Sequence, residues 1–231
     1  MVAFVERLGT PRVHYRATSS TNDRARELAA RGAPHGTLVT AGQQTAGRGR
    51  QGRVWTAPPG RALLCSLVLR DPGEVISLAA GVAVAEVAGA HAAIKWPNDV
   101  LLEGRKVAGI LVEGRPQAGW AVLGIGVNVA VAPEDFPVAL RDRAGSLGRA
   151  PHELESTLAE LLRALGRWLT APATDVLTAV RARDALRDRP VHWGAGTGVG
   201  AGIDEAGRLL VRSGHETVAL DAGEVHLAAP G

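Results

Sequence analysis

The stretch Gly47-Arg48-Gly49-Arg50-Gln51-Gly52-Arg53-Val54-Trp55 constrains this chain more than any other. Glycine has no Cβ, so backbone that carries it can approach a ligand closely and move. Arginine presents a planar fork of donors that grips phosphate or carboxylate oxygens. Alternating the two, with a tryptophan at the end, describes a mobile loop built to close over an anion.

The 231 residues suffice for one medium domain, or a medium domain with a small companion. With 46% hydrophobic residues, a substantial core is expected rather than disorder. No apolar run reaches the roughly 18 residues that span a bilayer, and residues 1–12 carry charges and a proline where a signal peptide needs an apolar core. The single cysteine, Cys65, excludes an internal disulfide and fits a reducing cytoplasm. It lies in an apolar run, Leu63 to Leu69, and reads as a buried strand thiol rather than a nucleophile.

The net charge of +3 permits an acidic partner without demanding nucleic acid, and eight aromatic residues leave few platforms for stacked bases. The lysines say more. Of 26 basic residues only Lys95 and Lys106 are lysines, and both fall in one short block. In a chain otherwise committed to arginine, an ammonium there suggests that a compact point charge is wanted.

Patterning predicts helices over Arg24 to Arg31 (capped by Ser20-Thr21-Asn22 and closed by Gly32), Val75 to His91, Pro151 to Leu169 and Thr174 to Leu186. Strands are expected at Thr37 to Thr40, Ala62 to Arg70, Ile94 to Trp96, Val100 to Leu102, Val107 to Val112 and Ala121 to Val129. Beyond Arg189-Pro190 the texture changes to short strands between turn signals: Val191-His192, Ala201 to Asp204, Arg208 to Arg212, Thr217 to Leu220 and Val225 to Ala228. The glycines from Gly194 to Gly202 read as a flexible hairpin tip. A boundary near residue 186 divides a larger unit, 1–186, from a small barrel, 187–231.

Gly42 to Gly49 nearly matches a phosphate-binding P-loop, but Arg48 stands where its lysine belongs, Gly49 where its hydroxyl belongs, and no clear helix follows. Gly124-Ile125-Gly126 lacks the third glycine of a dinucleotide fingerprint and reads as a place where something lies flat on a strand. The seven histidines show no metal-ligand spacing. Asp99, just beyond a strand, offers a carboxylate for magnesium, although Asn98-Asp99 taken alone reads more readily as a simple turn.

Together these blocks resemble the biotin protein ligases, in the single-function form without a DNA-binding domain. The resemblance rests on Ser20-Thr21-Asn22, Gln44 with Ala46 to Arg53 and Trp55, Lys95-Trp96-Pro97-Asn98-Asp99, Arg105 to Leu111, and Gly124 to Asn128, in the family's order. It runs from about residue 12 to the C-terminus.

It implies an α/β (α+β) catalytic domain with a mixed sheet and a small C-terminal SH3-like barrel. It implies a two-step reaction in the cytoplasm, in which biotin is joined to ATP with magnesium and then passed from biotinyl-AMP to a lysine of the biotin carboxyl carrier protein of acetyl-CoA carboxylase or a related carboxylase. A homodimer is implied, and neither DNA nor membrane.

By match of position, Ser20, Thr21, Asn22 and Gln44 hold biotin's polar head, and Gly124 and Gly126 let its ring lie on the strand. Gly47, Arg48, Gly49 and Arg50 fold over it, with Lys106 at its carboxyl group and the α-phosphate. Lys106 and Arg50 are the catalytic candidates. Arg48, Arg50, Trp55, Asn98, Lys106 and Asn128 face ATP or the adenylate, and Asp99 faces magnesium. Nineteen residues before Ser20 are too few for a winged helix, so a repressor role is not expected. Two rivals remain open: a lipoate or octanoate enzyme of the same fold, and a basic RNA-binding module that uses the arginine loop on phosphates.

Overall fold

Period-two alternation sets the central sheet, because successive side chains of a strand point to opposite faces. The computed structural model describes residues 8–115, 119–194, 196–221 and 223–227. Seven strands form a mixed sheet: β1 (Arg12–Tyr15), β2 (Leu38–Ala41), β3 (Ala62–Arg70), β4 (Ala92–Lys95), β5 (Asp99–Leu102), β6 (Arg105–Arg115) and β7 (Trp120–Asn128), in spatial order β1-β2-β3-β7-β6-β5-β4. The β1–β2 pair is parallel and the other pairs are antiparallel.

One face of the sheet carries Leu67, Leu69, Ile110, Leu123, Ile125 and Val127 into the main core. The helices α2 (Ile76–Ala88), α3 (Leu154–Trp168) and α4 (Ala173–Arg181) cover that face. Gly81 of α2 faces Ile94 and Ile110 of the sheet at ordinary packing distance. The opposite face is covered by helix α1 (Thr21–Ala30) over half its length, where Ala25 and Ala29 meet Val39, Val68, Trp120 and Val122. Farther along the same face the helix ends and the side chains shrink to Gly124 and Gly126. A cavity opens there.

The C-terminal unit is a five-stranded antiparallel sheet: β8 (Pro190–Trp193), β9 (Gly196–Ile203), β10 (Leu209–Ser213), β11 (Glu216–Leu220) and β12 (Val225–Leu227), in the order β11-β10-β9-β8-β12. Its Val191, Ile203, Leu209, Val211 and Val225 belong to the same apolar cluster as α2, α3 and α4. Trp96, buried at the end of β4, donates its indole N–H to Gly207 O at 3.0 Å and ties the two sheets together.

The expected elements are present with four corrections. β1 has no counterpart among the predicted strands. Helix α4 ends at Arg181, because the chain then turns to lie along β4, with Ile94 N donating to Arg183 O (2.7 Å) and Ala185 N to Ile94 O (3.0 Å). The Gly194 to Gly202 run is no hairpin tip: from Gly196 it is strand β9, glycine-rich because other backbone crowds it. A Cβ at Gly198 would lie 2.3 Å from Arg212 O, and one at Gly200 2.1 Å from Leu186 O. Ser20 occupies the N-cap position of α1 with extended backbone, but its hydroxyl makes no capping bond. Ala228 lies outside the described residues.

Candidate active site

Strand register assembles the site. Lys95 pairs with Asp99, Asp99 with Gly109, Gly109 with Gly126 and Gly126 with Leu64, so one row of residues crosses five strands on a single face. The next row holds Leu111, Gly124 and Ser66. The paired glycines Gly109 and Gly126 make a flat patch, and the Trp55 indole lies on it: a Cβ at Gly109 would be 3.1 Å from the ring and one at Gly126 2.6 Å. Around this patch opens a cavity of about 650 Å³.

Its polar end is built on α1 and the segment after β2. Gln44 Oε1 accepts from Thr21 N at 2.7 Å and from Thr21 Oγ1 at 3.0 Å. Ser20, Thr21 and Asn22 are all buried there. The Asn22 side chain fills the space above Gly124, where a Cβ would lie 2.0 Å from its Oδ1.

Its charged end joins Lys106 Nζ to Asp99 Oδ1 at 2.7 Å, with Lys95 Nζ 3.9 Å from the other oxygen of Asp99. Lys106 also stands 5.7 Å from the centre of the Trp55 ring, within reach of a cation–π attraction. Burial pushes the Lys95 ammonium below the ordinary lysine value, and the nearby Asp99 opposes that shift.

The glycine-arginine segment forms a lid pinned at three places. Arg48 donates to Asp23 at 2.5 Å and reaches Glu113 at 2.8 Å. Arg50 donates to Asn98 Oδ1 at 3.3 Å, and Arg53 is ion-paired with Glu224 beside β12. Asn98 is itself fixed, donating through Nδ2 to Ile110 O at 3.0 Å. At Gly47 glycine is obligatory: a Cβ would sit 2.3 Å from Trp55 O, a backbone atom with no freedom to yield.

Ser20, Thr21, Asn22, Gln44, Arg48, Gly49, Arg50, Trp55, Asn98, Asp99, Lys106, Gly124, Gly126 and Asn128 all line the one cavity. Gly47 is the exception, since it lets the lid cross itself rather than facing the cavity. The guanidinium of Arg48 is bound to carboxylates, where an oxyanion contact was expected. Asn128 is buried and donates to Gly145 O at 2.9 Å, while its Oδ1 has no protein partner. Cys65 is buried with its thiol pushed up to about 12 by desolvation, so it stays protonated and inert at neutral pH. Among the described residues no three His, Cys, Asp or Glu side chains group to hold a metal.

Ser66, which lacks a nucleophile-elbow context in the sequence, and Glu113, Glu224 and His226 carry no sequence signal that marks them for the site. The last two reach the cavity wall from the C-terminal sheet, far along the chain from the lid that Glu224 holds.

Residues 14–129 match the biotin/lipoate A/B protein ligase family model. The chain belongs to that family. Within it, the chain is 37% identical over 240 residues to the biotin–[acetyl-CoA-carboxylase] ligase of Paracoccus denitrificans, covering 90% of this chain and 97% of that protein. It is 36% identical to the ligase of the same name from Mycobacterium tuberculosis, covering 90% and 85%. Against the bifunctional ligase/repressor BirA of Bacillus subtilis it is 42% identical over 160 residues, and the match spans 64% of this chain and about half (49%) of that protein. In three dimensions it superposes on the Aquifex aeolicus biotin protein ligase in complex with biotin and ATP, with a TM-score of 0.81 and 24% identity over 94% of this chain and 99% of that one. That likeness is one of fold.

The family's fold accounts for the mixed sheet. Among the described residues no helix is long and apolar enough to cross a membrane.

Proposed function

We infer that this chain is a biotin protein ligase: it joins biotin to AMP at the expense of ATP and passes the activated acid to a lysine of a carrier protein. The observation that carries the reading is one cavity with a buried hydrogen-bonding end, an apolar middle where the Trp55 indole lies on the glycine patch, and two lysines at the far end, under an arginine lid. Biotin has the matching order of parts, a polar ureido head, an apolar ring and tail, and a carboxylate. The relatives that span nearly the whole chain bear the name of this activity, and the same fold in the Aquifex protein holds biotin and ATP.

In the first step a biotin carboxylate oxygen attacks the α-phosphorus of ATP. The bond to the bridging oxygen breaks and pyrophosphate leaves. Lys106 stands between the two anions, offsetting their repulsion and the charge gathering in the transition state. Lys95, which pairs with Asp99 across the sheet, adds a second ammonium. Thr21 and Gln44 read the ureido head; an acid without it leaves their buried groups unpaired, which gives selectivity. The free Oδ1 of Asn128 is an acceptor suited to the adenine amine.

In the second step the carrier amine attacks the carbonyl carbon of the mixed anhydride and AMP departs. Neither step needs a protein nucleophile. The closed lid keeps water from the anhydride between steps.

Asp99 is the carboxylate at the phosphate end that pairs with Lys106. The protein donors alone are too few for a magnesium cage, but they suit an ion carried on triphosphate oxygens, with Asp99 as a single added ligand. The carrier subunit of acetyl-CoA carboxylase is the partner in this reading. A homodimer would pair through β1, because β4 is already covered by residues 183–185.

The test is incubation with ATP, magnesium and biotin, with lipoate and octanoate in parallel, and mass spectrometry for the acyl-adenylate. Biotinyl-AMP alone is the expected product. An adenylate of lipoate or octanoate instead would keep the fold and overturn the substrate.

A further inference from the structure

A chain of polar contacts runs behind the cavity wall and joins its polar end to the lid. Ser66, fully buried on β3, lies 2.8 Å from Thr21 Oγ1 and 2.6 Å from Asn22 Oδ1, and its one hydrogen can serve either. Asn22 Nδ2 donates to Glu113 Oε2 at 2.8 Å. The other oxygen of Glu113 takes Arg48 Nη2 at 2.8 Å, with Arg26 at 3.8 Å. Glu113 does not itself line the cavity, and its side chain is 19% exposed.

We propose that Glu113 is a positioning residue that ties the lid to the residues reading the polar head of the acid. The proposal rests on the ligase reading above. Both oxygens of Glu113 face donors from different elements, Asn22 on α1 and Arg48 on the lid. A carboxylate is the side chain that satisfies two such donors at once and adds charge to each bond. Asn22 has little freedom, wedged above Gly124 with its Oδ1 on Ser66. A head group bound at Thr21 and Asn22 therefore fixes the amide that presents its N–H to Glu113, and Glu113 in turn holds Arg48. Occupancy of the floor and closure of the lid reinforce each other. By linkage the factor is the same in either direction.

The lid supplies a readout independent of catalysis, because Arg48, Arg50 and Arg53 are trypsin sites. Glu113→Gln keeps the size of the side chain but puts an N–H where one of two acceptors stood, so a donor must face a donor. Lid cleavage in the unliganded variant should rise about tenfold, the order of one charge-assisted hydrogen bond. Saturating biotin should slow cleavage of the parent protein and slow that of the variant far less. Glu113→Asp retains two acceptors and should recover part of the protection. Arg48→Met probes the same link from the other end and should weaken biotin binding by the factor through which biotin protects the lid.

Equal cleavage and equal protection in parent and Glu113→Gln would overturn the proposal, as would unchanged biotin affinity in Arg48→Met. Should biotin neither bind nor protect the parent, the ligase reading fails. Faster cleavage of unliganded Glu113→Gln would still uphold the tether, since that arm needs no ligand.

Discussion

A single methyl group tests the glycine floor. In Gly126→Ala the new carbon would meet the Trp55 ring at 2.6 Å, and the indole must leave the patch on which it lies. Overpacking of this kind costs about 1–3 kcal/mol, so biotin affinity by calorimetry should fall by roughly five- to a hundredfold, with little change in thermal stability because the ring sits over a cavity rather than in the core. Lys95 makes a second case. Its depressed value means that the ammonium is present below that value and lost as pH rises through it, before the roughly 10.4 of a free lysine. If its charge attracts the triphosphate, kcat/KM for ATP should begin to fall at a lower alkaline pH than an ordinary lysine would allow. Lys95→Arg should hold that limb flat; an unchanged profile would remove Lys95 from the nucleotide site.

Among elements, the lid depends on its anchors. Arg50→Gly removes the contact with Asn98, and biotinyl-AMP should then escape before transfer, seen as increased labelling of bystander lysines. Labelling at parent levels would show that this segment is not the barrier. The lid was legible in the sequence because glycine and arginine at close spacing have one plausible use together. Its anchors were not: Glu113 and Glu224 lie far along the chain, and register, not spacing, brings them near. Strand β9 was misread for a related reason. Its glycines are dictated by the backbone oxygens of Arg212 and Leu186 pressing on them, and a sequence does not show what will press. Strand β1 escaped notice because four half-exposed residues, Arg-Val-His-Tyr, give too short an alternation to stand out. Helix α4 was drawn too long because nothing in Ala182 to Leu186 announces that this stretch will pair with β4.

For the molecule as a whole, the row from Lys95 to Leu64 shows why the sequence blocks sit so far apart: each strand contributes one residue, and only the assembled sheet sets them side by side. The C-terminal sheet shares its apolar cluster with the helical layer and supplies Glu224 to the lid. We therefore expect one cooperative thermal transition, with equal calorimetric and van't Hoff enthalpies. Two resolved transitions would support a boundary near residue 186 as a division between independently folding units. The place of Trp55 has a practical consequence. Four other tryptophans, at 96, 120, 168 and 193, stand outside the lid, whereas this indole rests on the glycine patch beside the Lys106 ammonium. The enzyme thus carries its own fluorophore on its moving part. Stopped-flow emission, with Trp55→Phe as the dark control, can time each opening and closing without any attached dye.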